Sequence, residues 1–372
     1  MNYIEKQDKS LSRVESKRIG YLDIVRTCAI SLIVLCHAVE LIYQLDITIW
    51  QSLSTQSRIF KTVAFAMGRL GVPLFLFITG ALILNKNINN DDDCKKFYIK
   101  NLVPLILTTE IWIVIYDVFL SIYNKQQLDF VRLLKNMCFL EPVIMQSIWY
   151  MPMIIGLYIA MPFVNKIIKG FSTKVLKIPM LLAFISFFVL PTVNILLDGF
   201  NVDINFANVL DISFLGGVYG FYVIVGYFIH NKKLKNIKII YLVITAIISF
   251  GLTVLMQIIL WNRSVIYEVW YQSAFLFISS VCLFELFTRL NTEKINNKIM
   301  NIFTYISKIS LAIYFLHIIV EIMLTNTVKK INVSNPLKVI ILYALSMIII
   351  MVLIFILKKI KIIKNKVFLI KG

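Results

Sequence analysis

Charged side chains and histidines are scarce in this sequence. Asp, Glu, Lys and Arg make up 16% of the 372 residues, against about 25% in a typical soluble domain, and there are three histidines. The five cysteines form no CxxC pair and no other spacing typical of a metal site or a disulfide framework. We therefore expect no soluble domain, no metal centre and no disulfide-rich secreted fold.

The sequence is instead rich in long apolar stretches. Hydrophobic residues make up 59% of the chain and the mean hydropathy is +0.82. The breaks between the apolar stretches are short, Lys- and Asn-rich, and too small for an ordinary domain. We predict an all-α integral membrane protein with about ten transmembrane helices, at residues 21–43, 63–84, 102–123, 146–165, 175–197, 210–230, 237–260, 268–288, 303–325 and 336–357.

The net charge of +18 is mainly a topology signal. Most of the 38 Lys and Arg lie before the first predicted span, in every second break and after the last span. This bias places both termini in the cytoplasm and argues against nucleic-acid binding. We divide the chain into a cytoplasmic N-terminal segment at 1–20, a transmembrane domain at 21–358 and a basic cytoplasmic tail at 359–372.

Among the cations within the predicted spans, we single out Arg26 and Arg69. Arg26 and His37 are eleven residues apart, which at about 100° per residue is roughly 20° past three helical turns. They therefore share one helix face, about 16 Å apart along the axis at about 1.5 Å per residue. Ionisable groups inside a membrane are costly and usually functional. The alternative for Arg26 is a cation paired with Asp23 that snorkels to the inner surface.

His37 is a candidate general base, with Glu40 three residues later to orient its ring. A hydrogen-bonded core histidine is the alternative. Arg69 is expected at a similar depth, and no acidic residue lies within four positions of it in its own helix. Its partner must therefore come from another helix, water or a substrate, so that it is either structural or a stabiliser of an oxyanion.

Other polar and aromatic residues are placed more loosely by the pattern. Trp50, Trp149, Trp261 and Trp270 fall near predicted outer ends of spans, where an aromatic belt is the simplest interpretation for all except Trp149. The outer segment 124–147 carries apolar residues at helical spacing, which predicts an amphipathic helix on the membrane surface.

Five segments, in order, resemble the motifs of the membrane acyltransferase family 3. The resemblance covers about residues 20–358. The segments are Arg26 followed by His37 with Asp23 before them, Gly68-Arg69-Leu-Gly-Val-Pro through Gly80, Lys95-Lys96-Phe-Tyr-Ile-Lys100 ahead of Pro104, Trp149-Tyr150-Met with Gly156 and Pro162, and Ser310-Leu-Ala-Ile-Tyr-Phe-Leu-His317.

The resemblance implies transfer of an acyl group, commonly acetyl from acetyl-CoA, to a hydroxyl of a cell-surface or lipid-linked sugar. Acyl-CoA would be a co-substrate on the cytoplasmic side of a bacterial plasma membrane, with no bound cofactor and no metal. The implied catalytic residues are His37, Arg69 and Glu40. The acyl-CoA site would use Arg26, Asp23, Lys96 and Lys100, although the family's basic stretch is usually arginine-rich. Candidate acceptor-binding residues are Trp149, Tyr150 and His317.

Two other classes of protein remain open from the sequence. A polytopic exporter of a surface polysaccharide or lipid-linked sugar would also have ten spans with buried charges. Against it, the sequence has no duplicated half and no matched pair of helices broken by Gly or Pro. A sensor that has kept the fold and lost the chemistry is less compatible with the presence of both Arg26 and His37.

Overall fold

The protein is built from α-helices. A computed structural model describes residues 18–44, 46–141, 146–206, 213 and 216–370, and these ranges contain no β-strand. The helices, in chain order, are α1 Gly20–Tyr43, α2 Ile47–Ser52, α3 Thr55–Arg69, α4 Gly71–Ile83, α5 Asp91–Phe97, α6 Val103–Asn124, α7 Phe130–Met137, α8 Tyr150–Gly170, α9 Thr173–Phe184, α10 Leu190–Gly199, α11 Gly217–His230, α12 Ile239–Asn262, α13 Ala274–Thr288, α14 Asn297–Lys329 and α15 Asn335–Leu357.

Within the described ranges, eight helical segments are long and apolar enough to cross a membrane. They are Gly20–Tyr43, Thr55–Ile83, Asp91–Asn124, Ser147–Gly170, Thr173–Gly199, Ile239–Asn262, Asn297–Lys329 and Asn335–Leu357. The shorter apolar helices α11 and α13 lie where the sixth and eighth spans were predicted. The predicted class, an all-α multi-pass membrane protein, is confirmed. Residues 1–17 of the predicted N-terminal segment 1–20 lie outside the described residues.

Helix α1 lies at the centre of the bundle. It packs against α14, α3, α4 and α15. Its small residues Ala29 and Ala38 are fully buried, so neighbouring helices can come close to its backbone. The helix that carries Arg26 and His37 is therefore surrounded by protein along much of its length.

Two glycines bring the second span against α1. A methyl group on Gly68 would lie 2.7 Å from the Cα of Cys36, and one on Gly71 would lie 2.6 Å from the carbonyl oxygen of Ala29. Only hydrogen fits at such distances. Cys36 precedes His37 and Gly68 precedes Arg69. This contact therefore brings the candidate residues His37 and Arg69 close to each other.

The predicted span 63–84 is divided into α3 and α4 at Leu70. Pro73 has no N–H, so the carbonyl of Arg69, four residues earlier, has no helical donor. The helix therefore ends at Arg69 and restarts at Gly71. A cation in the last turn of α3 is also favourable for the helix dipole.

The eighth predicted span begins later than expected. Residues 268–273 were predicted as helix, but α13 begins at Ala274. Side chains of other helices satisfy the irregular backbone: the amide of Val269 donates to Gln257 Oε1 at 3.1 Å, and that of Ala274 donates to Thr192 Oγ1 at 2.9 Å. Non-helical backbone at membrane depth is tolerated when protein covers it in this way.

The predicted aromatic belt is wrong for two of its tryptophans. Trp50 and Trp261 are 1% and 2% exposed, with ring centroids 5.3 Å apart. The Lys61 ammonium lies 4.1 Å from the ring centre of Trp261 and 3.5 Å from Glu268 Oε1. These two rings are buried inside the protein, where they pack against the buried ammonium group of Lys61.

The predicted basic tail is docked onto α6. Thr108 Oγ1 donates to the carbonyl of Lys366 at 2.7 Å, and Trp112 Nε1 donates to that of Val367 at 2.9 Å. Phe368 is 2% exposed and stacks against Trp112. The segment after α15 therefore forms part of the packed domain.

Replacing Gly68 by alanine should separate α3 from α1. The added methyl overlaps the backbone of Cys36, and overpacking of this kind costs about 1–3 kcal/mol. We expect a lower Tm and at least a tenfold loss of activity. The matched control is Gly156→Ala in α8, where a methyl meets nothing within 4 Å. A wild-type Tm for Gly68→Ala would contradict the close approach.

Candidate active site

One carboxylate joins the two candidate catalytic residues. Glu40 Oε2 lies 2.6 Å from His37 Nδ1, and Glu40 Oε1 accepts a hydrogen bond from Arg69 Nη2 at 3.1 Å. His37 and Glu40 are one turn apart on α1, whereas Arg69 reaches them from α3. Of the partners left open for Arg69, namely another helix, water or a substrate, the structure shows another helix, which supplies Glu40.

The contact with Glu40 fixes the tautomer of His37. An ionised carboxylate only accepts hydrogen bonds, so Nδ1 of the neutral ring must carry the proton and donate it. Nε2 then keeps its lone pair. His37 is thus oriented as a general base is, with a carboxylate behind it to stabilise the imidazolium form.

Aromatic rings hold the guanidinium of Arg69 in place. Its carbon lies 4.5 Å from the ring centre of Trp270 and 4.6 Å from that of Phe65. Nη1 donates to the hydroxyl of Tyr271 at 3.4 Å, while Nε is buried and has no partner among the described residues. One donor of this fixed cation is therefore still available.

Tyr271 and Trp270 were not predicted as site residues. They lie in the irregular segment before α13, where the periodicity predicted helix. Tyr271 also stacks on Trp149, with ring centroids 5.4 Å apart, and its carbonyl accepts from the hydroxyl of Tyr222 at 3.0 Å. Trp149, which was predicted to bind the acceptor, thus packs against Tyr271, the residue whose hydroxyl accepts a hydrogen bond from Arg69.

A small chamber lies between these residues. It has a volume of about 20 Å³, and its lining includes His37, Arg69, Trp149, Tyr150 and Tyr271. This volume holds about one water-sized group, since a water needs at least about 10–15 Å³. The chamber therefore suits a single reacting oxygen.

A larger cavity adjoins the chamber and reaches Arg26. Its volume is about 450 Å³, and Ile33, Tyr150 and Tyr314 line both spaces. Ile33 lies on α1 between Arg26 and His37. Two adjoining cavities therefore lie along the helix face that Arg26 and His37 share.

The Arg26 end of this cavity is strongly basic. Arg18, Arg26 and Lys308 line it together. Lys308 lies within the predicted span 303–325 and within α14, and it was not singled out from the sequence. Arg18 was counted with the N-terminal segment. Long basic side chains reach such positions along their apolar stems, which simple counting overlooks.

Asp23 does not pair directly with Arg26. Arg18 donates to both its oxygens, at 2.6 and 2.7 Å, and Ser307 Oγ donates to it at 2.7 Å. Arg26 Nη1 donates to the same Ser307 oxygen at 3.3 Å. Asp23 therefore positions the basic cluster, while Arg26 stays open to the cavity.

Lys96 and Lys100 are exposed and are not among the described lining of the cavity. They lie close to its wall, because Phe97 stacks on Tyr158, which lines the cavity, with ring centroids 6.0 Å apart. The structure thus places these lysines beside the basic end rather than inside it.

His317 lies against His37. The two ring centroids are 5.1 Å apart, and His317 Nδ1 bonds to the carbonyl of Tyr314. His317 is fully buried, and its Nε2 has no partner within the described part of the chain.

One turn later, Glu321 is also fully buried with neither oxygen bonded to a described residue. Glu321 was missed, although an acidic residue four positions after His317 in an apolar stretch is a readable signal.

Comparison with protein families identifies the family to which this protein belongs. Residues 19–356 match the family model described as an acyltransferase domain, the membrane acyltransferase family 3. Because the match covers most of the chain, the protein belongs to this family and is a membrane acyltransferase. The comparisons with curated proteins and with solved structures found no match. Family membership favours acyl transfer over polysaccharide export.

A double-mutant cycle should detect the Glu40–Arg69 pair. Glu40→Gln leaves a buried guanidinium without its counter-charge, and Arg69→Gln does the converse, so the double variant should lose less stability than the sum of the single variants. We expect a coupling of about 1–3 kcal/mol in the free energy of unfolding in detergent. The control cycle is Lys135–Glu141, a more exposed pair whose coupling should stay below about 1 kcal/mol. Additive effects at Glu40 and Arg69 would contradict the shared carboxylate.

Proposed function

We propose that this member of the membrane acyltransferase family moves an acyl group, acetyl first among the candidates, from acyl-CoA to a hydroxyl of a cell-surface or lipid-linked glycan. The observation that carries the proposal is the pair of adjoining cavities from Arg26 to His37. The basic end of the larger cavity suits the phosphates of acyl-CoA, and the rest of that cavity suits its flexible pantetheine arm. The small chamber that contains His37 suits the reacting thioester.

The proposed topology has ten spans with both termini in the cytoplasm of a bacterial cell. The eight long helical segments and the shorter α11 and α13 supply these spans. The distribution of Lys and Arg between alternate breaks supports the orientation. In this arrangement the basic end of the large cavity faces the cytoplasm, where acyl-CoA is made, and the His37 chamber lies in the outer half of the membrane.

The nucleotide end of acyl-CoA would bind at Arg26, Arg18 and Lys308, with Lys96 and Lys100 beside them. Guanidinium groups suit phosphate because they donate two parallel hydrogen bonds, whereas ammonium groups act as point charges. The network around Asp23 orients the arginines. The pantetheine arm would extend past Tyr158 and Tyr150 towards the chamber.

The transfer would proceed by general-base catalysis. His37 Nε2 takes the proton of the acceptor hydroxyl as its oxygen attacks the thioester carbonyl. The new C–O bond forms, the C–S bond of the tetrahedral intermediate breaks, and the proton passes from His37 to the leaving sulfur. Glu40 stabilises the imidazolium between these steps.

Arg69 would stabilise the oxyanion of the intermediate. Its Nε–H is buried and has no partner in the part of the chain that the structure describes, and Trp270, Phe65 and Tyr271 fix the guanidinium plane. Such preorganised donors act strongly where water is excluded. Trp149, Tyr150 and His317 are the proposed acceptor-side residues, the first two as platforms for a sugar ring.

Replacement of His37 by alanine should abolish transfer and leave a folded protein. Loss of a general base typically lowers the rate by about 10²–10⁴-fold. The assay follows radiolabelled acetyl from acetyl-CoA into glycan, and mass spectrometry of cell-surface glycans identifies the product. The matched control is His230→Ala at the end of α11, whose ring bonds Tyr21 and should be dispensable. Full activity in His37→Ala would exclude the proposed base.

Replacement of Arg26 by lysine should weaken donor binding selectively. The variant keeps the charge and loses the bidentate fork, so we expect the KM for acetyl-CoA to rise about five- to tenfold with kcat nearly unchanged. Arg263→Lys, at the exposed end of α12, is the control. An unchanged KM would assign Arg26 a structural role.

A further inference from the structure

A second cavity, lined mainly by apolar side chains, lies under the short helix α7. It has a volume of about 90 Å³, and its lining includes Asn136 from α7, Tyr116 from α6, Phe139, Glu141 and Ile148. Helix α7 exposes Val131 and Leu134, at 65% and 64%, and turns Asn136 towards the bundle. The predicted amphipathic helix therefore covers a cavity as well as presenting an apolar face outward.

Asn136 is the unexplained residue in this cavity. It is 5% exposed, and neither its amide nitrogen nor its amide oxygen has a hydrogen-bond partner among the residues described. A buried polar group without a partner is unfavourable, so native proteins retain few of them. An amide that offers one free acceptor and two free donors matches the adjacent hydroxyls of a sugar.

The remaining lining fits the same chemistry. The rings of Tyr116 and Phe139 supply apolar surface for the C–H groups of a sugar, and Glu141 supplies a carboxylate that Lys135 holds at 2.9 Å. The volume is several times that of the chamber, which holds about one water-sized group. It therefore accommodates one hydroxyl-bearing edge of a sugar, with the rest of the glycan outside.

The cavity is next to the catalytic chamber. Ser147 lines the chamber and the adjacent Ile148 lines the cavity under α7. The hydroxyl of Tyr314, which also lines the chamber, donates to the carbonyl of Ser147 at 2.7 Å. A glycan bound in the cavity under α7 would thus be separated from the chamber by the backbone at Ser147 and Ile148.

We propose that the cavity under α7 is a subsite for the acceptor glycan and that Asn136 binds a sugar hydroxyl pair there. This inference rests on the proposed function, because it assigns the acceptor side of the same reaction. It places the acceptor at the end of α6 that lies far from the basic donor cluster.

The alternative, that Asn136 is only structural, makes a different prediction. A structural amide is bonded within the protein, so its loss lowers the Tm. An unpartnered amide is a burden on the fold, so Asn136→Ala should leave the Tm unchanged or raise it while impairing acceptor use.

The experiment measures donor and acceptor saturation separately. The full chain, reconstituted in lipid nanodiscs, receives radiolabelled acetyl-CoA and the glycan fraction extracted from the same cells, titrated by hexose content. For Asn136→Ala we expect about a tenfold higher half-saturating glycan concentration and a half-saturating acetyl-CoA concentration within about twofold of wild type. The matched control is Asn124→Ala, an exposed asparagine at the end of α6.

Each outcome decides the proposal. An unchanged glycan half-saturation for Asn136→Ala overturns the subsite and leaves the proposed function standing. Parallel losses in glycan saturation, acetyl-CoA saturation and Tm assign Asn136 to the fold and also overturn the subsite. If wild-type protein transfers no label to glycan, both the proposed function and the subsite are wrong.

Discussion

The carboxylate of Glu40 determines how the centre of this protein is arranged. It balances the buried charge of Arg69 and holds the ring of His37 at the same time. A buried ion pair is tolerated only when both members are well bonded, so neither α1 nor α3 can shift without exposing an uncompensated charge. The contact between Gly68 and Cys36 is the steric counterpart of this constraint, since it brings the two helices close enough for the pair to form.

The same pair suits the charge changes of the proposed reaction. Glu40 and Arg69 together are neutral before the reaction. When His37 takes a proton, an oxyanion appears at the thioester carbon, so one positive and one negative charge arise together. Glu40 lies beside the first and Arg69 beside the second. The site therefore stabilises a separated pair of charges without carrying a net charge of its own, which a low-dielectric interior favours.

The helical parts of the site were predictable, whereas the irregular parts were not. Helical periodicity is enough to place Arg26, His37 and Glu40 on related faces of α1. The absence of a nearby acid leaves another helix, water or a substrate as the partner of Arg69. Tyr271 could not be found in this way, because it lies in a non-helical segment inside an apolar run. Its placement depends on side chains such as Gln257 and Thr192, which satisfy the backbone from distant parts of the sequence. Lys308 was readable from the sequence, since it is a cation inside the predicted span 303–325.

Several buried polar atoms that have no partner among the described residues lie in or near the proposed site, and others, such as those of Glu110, Glu285 and Ser346, lie elsewhere. Arg69 Nε, His317 Nε2 and both oxygens of Glu321 lie near His37, and Asn136 lies behind the neighbouring Ser147–Ile148 wall. Folding alone opposes each of these groups, because burial removes the water that would otherwise bond them. A protein that keeps several such groups in one region gains from them in another state, in which a substrate or a transferred proton supplies the missing partner. The unpartnered atoms of Arg69, His317 and Glu321 thus lie near the place where the acyl group and the acceptor hydroxyl are proposed to meet.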